Sequence, residues 1–190
     1  HPRLWLVERL TPRAAREAHP AYNMAAALHL DGDLDVAALQ GALDALVDRH
    51  EVLRTVYPEN DEGEPIAVSR PAMRVDLPLR DLSALPEPQW HAAVDAALAA
   101  QEGRAFDLAS DALLRAELLR LSSDRHVLLL CVHHIAFDGW SVGVFVRDLT
   151  VAYSAIRGDT APAWLPLAVQ YADYAQWQTR QLAATQPALA

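Results

Sequence analysis

The string His133-His134-Ile135-Ala136-Phe137-Asp138-Gly139-Trp140-Ser141 holds the residue types that move protons. An unperturbed imidazole titrates near pH 6.5, so a positioned histidine can act as general base or acid at neutral pH. The string follows an apolar run at residues 127–132 and precedes a helical pattern. That places it in a loop at a strand end, where rigid scaffolds present reactive groups. Successive strand residues point to opposite faces. If the strand persists to the histidines, one of His133 and His134 holds structure while the other is free for chemistry. Taken as two isolated histidines, the pair reads more simply as a surface feature or a satisfied core pair. A metal reading needs both rings and Asp138 to converge as a facial triad. Adjacent histidines do so only at a sharp backbone bend, and no His-Glu-x-x-His spacing is present. The single cysteine, Cys131, sits in the apolar run as a small buried hydrophobe.

The elements that must hold this loop can be read from periodicity. Residues 22–30 are apolar, end at the turn signal Asp31-Gly32, and read as a strand. Asp35 can cap a helix running to about Arg49, with Val36, Leu39, Leu43, Leu46 and Val47 on one face. Residues 52–57 read as a short strand, residues 65–69 as another, and residues 75–79 as an extended segment leading to Asp81. Residues 87–102 form a second amphipathic helix with Trp90, Val94 and Leu98 on one side. Residues 113–121 and 125–132 read as a hairpin joined at Ser122-Ser123-Asp124. Six apolar residues in a row in its second arm suit a strand covered on both faces. Ser141 is placed to cap a third helix ending near Gly158, and a Pro-rich connector leads to a last helix over about residues 170–182.

Composition bounds the rest. With 190 residues, 52% hydrophobic and 22% charged, the chain suits one packed domain or one large lobe. A net charge of −9 with scattered arginines argues against a nucleic-acid partner. No uncharged apolar stretch reaches membrane-spanning length. One cysteine excludes an internal disulfide framework or a cysteine zinc site, and fits a reducing cytoplasm. The first residue is His1 rather than Met, so the chain is expected to be a piece of something longer.

The full string is more specific than its parts. His-His-x-x-x-Asp-Gly followed by Trp-Ser resembles the signature of condensation domains of nonribosomal peptide synthetases, in the chloramphenicol acetyltransferase-like superfamily. Three further matches occur in the family's order. Arg3-Leu4-Trp5 resembles the tail of the first motif, Arg49-His50-Glu51-Val52-Leu53-Arg54-Thr55 the second, and Tyr171-Ala172-Asp173-Tyr174-Ala175-Gln176-Trp177 the fourth. Two departures stand out. His1-Pro2 replaces the usual opening of the first motif, and nothing resembles the family's three later motifs. The resemblance therefore covers an amino-terminal lobe, residues 1–190, without its carboxy-terminal lobe. Its fold is expected to be α+β, a two-layer lobe with a mixed sheet covered by helices.

The resemblance implies amide-bond formation between a donor acyl or peptidyl thioester and an acceptor aminoacyl thioester. Phosphopantetheine arms of carrier proteins deliver both substrates, no cofactor binds directly, and an adenylation domain is an expected neighbour. His134 matches the catalytic histidine, as base, amine-orienting group or oxyanion donor, with orientation and proton acceptance favoured. Asp138 is implied to hold the loop through an ion pair with an arginine, Arg54 or one from the other lobe. Gly139 leaves room for the arm or makes a turn that a Cβ would obstruct, and substrate lining extends over Gly139, Trp140 and Ser141. Trp140 is expected to pack in the core and Ser141 to cap a helix. His133, His50 and Glu51 are expected to be structural, and Tyr171, Tyr174 and Trp177 to form a helical face against the core. The lobe alone is expected to be inactive. Epimerisation domains share His-His-x-x-x-Asp but usually lack Gly-Trp-Ser. Heterocyclisation domains replace both histidines, free-standing acetyltransferases carry a different string, and recruitment modules typically lose the catalytic histidine.

Overall fold

The computed structural model describes residues 22–185, so Arg3-Leu4-Trp5 lies outside the described residues. Its frame is a four-stranded mixed sheet of β1 (Asn23–Asp31), β4 (Leu79–Asp81), β5 (Leu114–Arg120) and β6 (Arg125–His133), in the order β1-β6-β5-β4. The β1/β6 and β5/β6 pairs are antiparallel and β4/β5 is parallel. Gly32, at φ +107°, makes the turn that leaves β1, a backbone region that side-chain-bearing residues rarely adopt.

The apolar run in β6 explains the layering. Leu128, Leu130 and Val132 point to one face and join the core made with α1 (Val36–Arg49) and α3 (Ser141–Arg157). Val127 and Leu129 point the other way, onto α2 (Glu87–Glu102). Cys131, on that same side, packs with Phe106, Leu113 and Ile135. All six residues are buried. At about 1.5–3 kcal/mol for each fully buried aliphatic side chain, this strand alone ties both helical layers to the sheet. The expected α+β fold and mixed, helix-covered sheet hold. Asp35 caps α1 as expected, its Oδ1 accepting from the Ala38 N–H at 2.9 Å.

Two segments differ from the sequence reading. Residues 52–57 are not one strand: a 3-10 turn, Glu51–Arg54, precedes a two-residue strand β2 (Thr55–Val56), which pairs with β3 (Val68–Ser69). The Thr55 hydroxyl donates to the Glu51 carbonyl at 2.7 Å, closing the turn that β propensity alone would have opened. The last helix, α4 (Tyr171–Thr185), turns Tyr171, Tyr174 and Trp177 outward, so the expected aromatic contact with the core is not made. No helix among the described residues is long and apolar enough to cross a membrane.

Candidate functional site

β6 ends at His133, and the two histidines part there. His133 is fully buried, with its ring against Tyr22 and Phe106 at centroid distances of 6.2 and 5.8 Å. Its Nδ1 accepts from the Ile135 N–H at 3.1 Å, which bends the chain out of the strand. His134 is exposed, and its backbone N–H donates to the Tyr22 carbonyl at 2.8 Å. Its side-chain Nδ1 lies 2.6 Å from the Phe137 carbonyl oxygen. A carbonyl only accepts, so Nδ1 carries the proton. In the neutral ring Nε2 is then the nitrogen with the free lone pair. The Phe137 carbonyl is itself fixed, because the Phe137 ring packs edge-on against Phe145 of α3 at 5.9 Å. Core packing thus sets the tautomer of an exposed ring.

Asp138 and Ser141 close the loop onto α3. The Asp138 Oδ1 accepts from the Ser141 N–H at 2.9 Å and from its hydroxyl at 2.6 Å. The Asp138 N–H reaches back to the Ser141 Oγ at 3.3 Å. This reciprocal pair has the bonding pattern of a capping box, but it closes the turn leading into α3, whose N-cap position, Trp140, carries no side-chain cap. Hydrogen bonds from the Ser141 side chain and backbone hold the Asp138 carboxyl below its ordinary value, and the nearby His134 acts in the same direction. The expected Ser141 cap is therefore corrected: Ser141 is the first residue of α3 and its side chain bonds back to Asp138, which holds the entry turn.

Arg54 is likewise not the partner of Asp138. It donates to Ser69 Oγ at 3.0 Å and to the Arg70 carbonyl, and pairs with Glu51 at 3.4 Å. Among the described residues no arginine or lysine pairs with Asp138. Trp140, expected in the core, is 89% exposed, because the capping turn points it away from the packed side of α3. A Cβ at Gly139 would meet nothing within 4 Å, and its φ is not positive, so space around it, not a special turn, is what the backbone offers. His134, Gly139 and Trp140 are each exposed. Clefts of about 430 and 280 Å³ among the described residues lie elsewhere, one beside Trp164 and one beside Trp90.

The charged centre that the sequence reading missed is Asp148. It is 2% exposed, and its Oδ2 accepts from Arg49 Nε at 3.0 Å and lies 2.9 Å from His50 Nε2. Its Oδ1 accepts from Arg147 Nε at 2.9 Å. Burial pushes the Asp148 carboxyl up, but the hydrogen bonds from Arg147, His50 and Arg49 outweigh it and hold the group below its ordinary value. Burial lowers His50, only partly offset by its bond to Asp148. Arg49 also donates to the Leu165 carbonyl at 3.0 Å, pinning the Pro-rich connector. His50 is structural, as expected, through this carboxylate. The signal was available: Asp148 lies within the apolar stripe Phe145, Leu149 and Ala152 at helical spacing.

A mixed sheet lies between helical layers, with an exposed histidine where its central hairpin meets α3. The chain belongs to the condensation-domain family, whose model matches residues 2–188. It is 43% identical to chondramide synthase cmdD of Chondromyces crocatus over 93% of its length, spanning 4% of that protein. It is also 43% identical to phosphinothricin tripeptide synthetase PhsC of Streptomyces viridochromogenes, over 95% of its length and 16% of the relative. Among solved structures it resembles the X-domain in the complex with OxyB from teicoplanin biosynthesis, at 39% identity and a TM-score of 0.80. That match covers 95% of this chain and 37% of the X-domain chain.

Proposed function

We propose that this chain is the amino-terminal, histidine-bearing lobe of a condensation domain that joins a carrier-bound acyl or peptidyl thioester to a carrier-bound aminoacyl acceptor. One observation carries the reading: the exposed His134 ring has Nδ1 tied to the Phe137 carbonyl, leaving Nε2 as the proton-accepting atom on an open face. The acceptor amine attacks the thioester carbonyl carbon, a C–N bond forms, and the C–S bond breaks. The ammonium proton passes to Nε2 of His134 and on to the departing pantetheine thiolate. An α-amino group titrates near pH 8, so part of it is already neutral, and His134 need only orient it and take the proton after attack. Asp138 holds the loop on α3, Gly139 leaves room for a phosphopantetheine arm, and Trp140 and Ser141 border its path. A second lobe closes the open face, and the chain without it does not turn over.

The likeness to an X-domain found in complex with OxyB supports a second reading, a recruitment surface without catalysis. The presence of both His134 and Asp138 favours the first. The test uses the full-length synthetase with both carriers loaded. His134→Ala is expected to lower amide formation by about 100-fold or more, with an unchanged melting temperature because the ring is exposed. Undiminished turnover by that variant refutes the catalytic reading.

A further inference from the structure

Phe106 is buried in the connector between α2 and β5, and its ring has a cation beside it. The Arg115 guanidinium carbon lies 3.7 Å from the ring centroid, within cation–π range. The same guanidinium donates from Nη1 to the Arg104 carbonyl at 2.7 Å and from Nη2 to the Ala105 carbonyl at 2.6 Å, and it pairs with Asp111 at 3.1 Å. A second side chain pins the connector: Asn23 Nδ2 donates to the Glu102 and Arg104 carbonyls, each at 2.8 Å. In the sheet Arg115 stands opposite Cys131, and Asn23 opposite His133. The connector is thus tied to β5 and β1, the two strands that flank the end of β6. So held, Phe106 meets the His133 ring at 5.8 Å with the planes 76° apart. His133 is where the chain turns out of the strand. Its N–H donates to the Leu113 carbonyl at 3.1 Å, its carbonyl accepts from the Ala136 N–H at 3.0 Å, and its Nδ1 takes the Ile135 N–H. A tilt of this ring carries Ile135, and with it the start of the His134 loop.

We propose that Arg115 is a positioning residue for His134: it clamps Phe106 against His133 and so sets the bend that presents the His134 ring. The proposal rests on the reading of His134 as the proton-accepting group. Arg115 acts through Phe106 and His133, and its own side chain is only 12% exposed. Stability alone is a poor reason for an arginine here. Burial works against its charged form, with Arg104 second, while Asp111 acts the other way. An apolar side chain of similar length would pack on Phe106 without that desolvation cost. What it would lack is the planar fork, which holds two successive carbonyls at a fixed angle, as a single ammonium does not. Geometry, not burial, is therefore what the guanidinium adds at this place.

Two readouts, each taken well below the unfolding transition, test the proposal. The first is the nitrogen-15 spectrum of the His134 imidazole in the 190-residue chain at about pH 8, above the ordinary imidazole value, where it separates the Nδ1–H from the Nε2–H form. The parent ring is expected in the Nδ1–H form, and Arg115→Met in a mixture, because the 2.6 Å contact of Nδ1 with the Phe137 carbonyl loosens when the bend shifts. The second readout is amide formation by the full-length synthetase with both carriers loaded. Arg115→Met is expected to lower kcat about tenfold and to leave KM for the carriers within about twofold, since a displaced group slows the reaction without removing a substrate contact. Arg115→Lys keeps the charge and the pair with Asp111 but reaches only one carbonyl. It is expected to fall between parent and Arg115→Met, and it decides the test if Arg115→Met does not fold. Arg125→Met is the matched control, because Arg125 stacks on Trp90 at 4.6 Å and pairs with Glu87 at 2.8 Å at the opposite end of β6. It is expected to match the parent in both readouts. Parent-like spectra and kcat in Arg115→Lys overturn the proposal, as does an equal loss in Arg125→Met or a change confined to KM. Retained amide formation by His134→Ala removes the catalytic reading, and the imidazole spectrum still decides whether Arg115 sets the bend.

Discussion

The entry turn at Asp138 separates two accounts of an aspartate that sequence resemblance treats as an ion-pair partner. In the structure the carboxylate accepts from the Ser141 N–H and hydroxyl at 2.9 and 2.6 Å, and no cation among the described residues meets it. Asp138 precedes the N-cap position of α3, yet it satisfies the first helical N–H as a cap does, and losing such a side chain costs about 1 kcal/mol. Removing a negative charge from the first turn of an exposed helix costs about 0.3–0.5 kcal/mol more, after screening by solvent and salt. Asp138→Ala loses both contributions, about 1.5 kcal/mol, which in a chain of this size lowers the melting temperature by roughly 3–6 °C. Asp138→Asn keeps a capping oxygen, because asparagine caps about as well as aspartate, and loses only the charge, roughly 1–2 °C. The assay is thermal unfolding of the 190-residue chain at neutral pH, followed by circular dichroism. The folded carboxyl is held below its ordinary value of 3.8, so its contribution is complete above that value and is lost as pH falls through the folded one. The gap between the parent chain and Asp138→Asn should therefore close in acid. If Asp138→Asn is as destabilised as Asp138→Ala, the charge and not the cap is what matters, and the capping argument is wrong.

Three further outcomes follow from the same geometry. Gly139→Leu should leave the melting temperature within about 2 °C, since exposed substitutions without steric conflict stay within about 0.5 kcal/mol, yet lower amide formation by the full-length synthetase at least tenfold; a collapse in stability would contradict the open space at this position. Asp148→Asn should cost about 3 kcal/mol or more, because it leaves Arg49 inside without its carboxylate, whereas Arg147→Ala, at the exposed edge of the cluster, should cost less than about 1 kcal/mol in chemical denaturation. His126 is buried, its Nδ1 has no hydrogen-bond partner among the described residues, and burial, with Arg120 second, lowers its pKa from 6.5. The unfolded chain therefore takes up the proton first, so stability is full above pH 6.5 and falls as pH drops toward the folded value. His126→Leu should flatten that slope in melting curves between pH 7.5 and 5, with His50 supplying what remains.

Periodicity and local chemistry were enough for much of this protein. The unbroken apolar run of β6, the turn at Gly32, the Asp35 cap and the apolar stripe of α1 are one-dimensional patterns, carried by a few consecutive residues or by the helix repeat of 3.6. The His-His-x-x-x-Asp-Gly-Trp-Ser string likewise stood out before any fold was known. What each of its residues does was decided elsewhere. His133 and His134 are neighbours in sequence, yet the end of β6 buries one and exposes the other. The tautomer of His134 depends on Phe145, in the next helix, which fixes the carbonyl of Phe137. Arg54 turns to β3 and Trp140 to solvent because the 3-10 turn and the entry turn of α3 set their directions, and neither follows from residue type. Asp148 meets Arg49 and His50 only when α3 packs on α1, across nearly a hundred residues. Local propensities are properties of a few consecutive residues, whereas the pairing of charges and the aim of a side chain depend on which distant elements share a face, and only the packed structure brings those together.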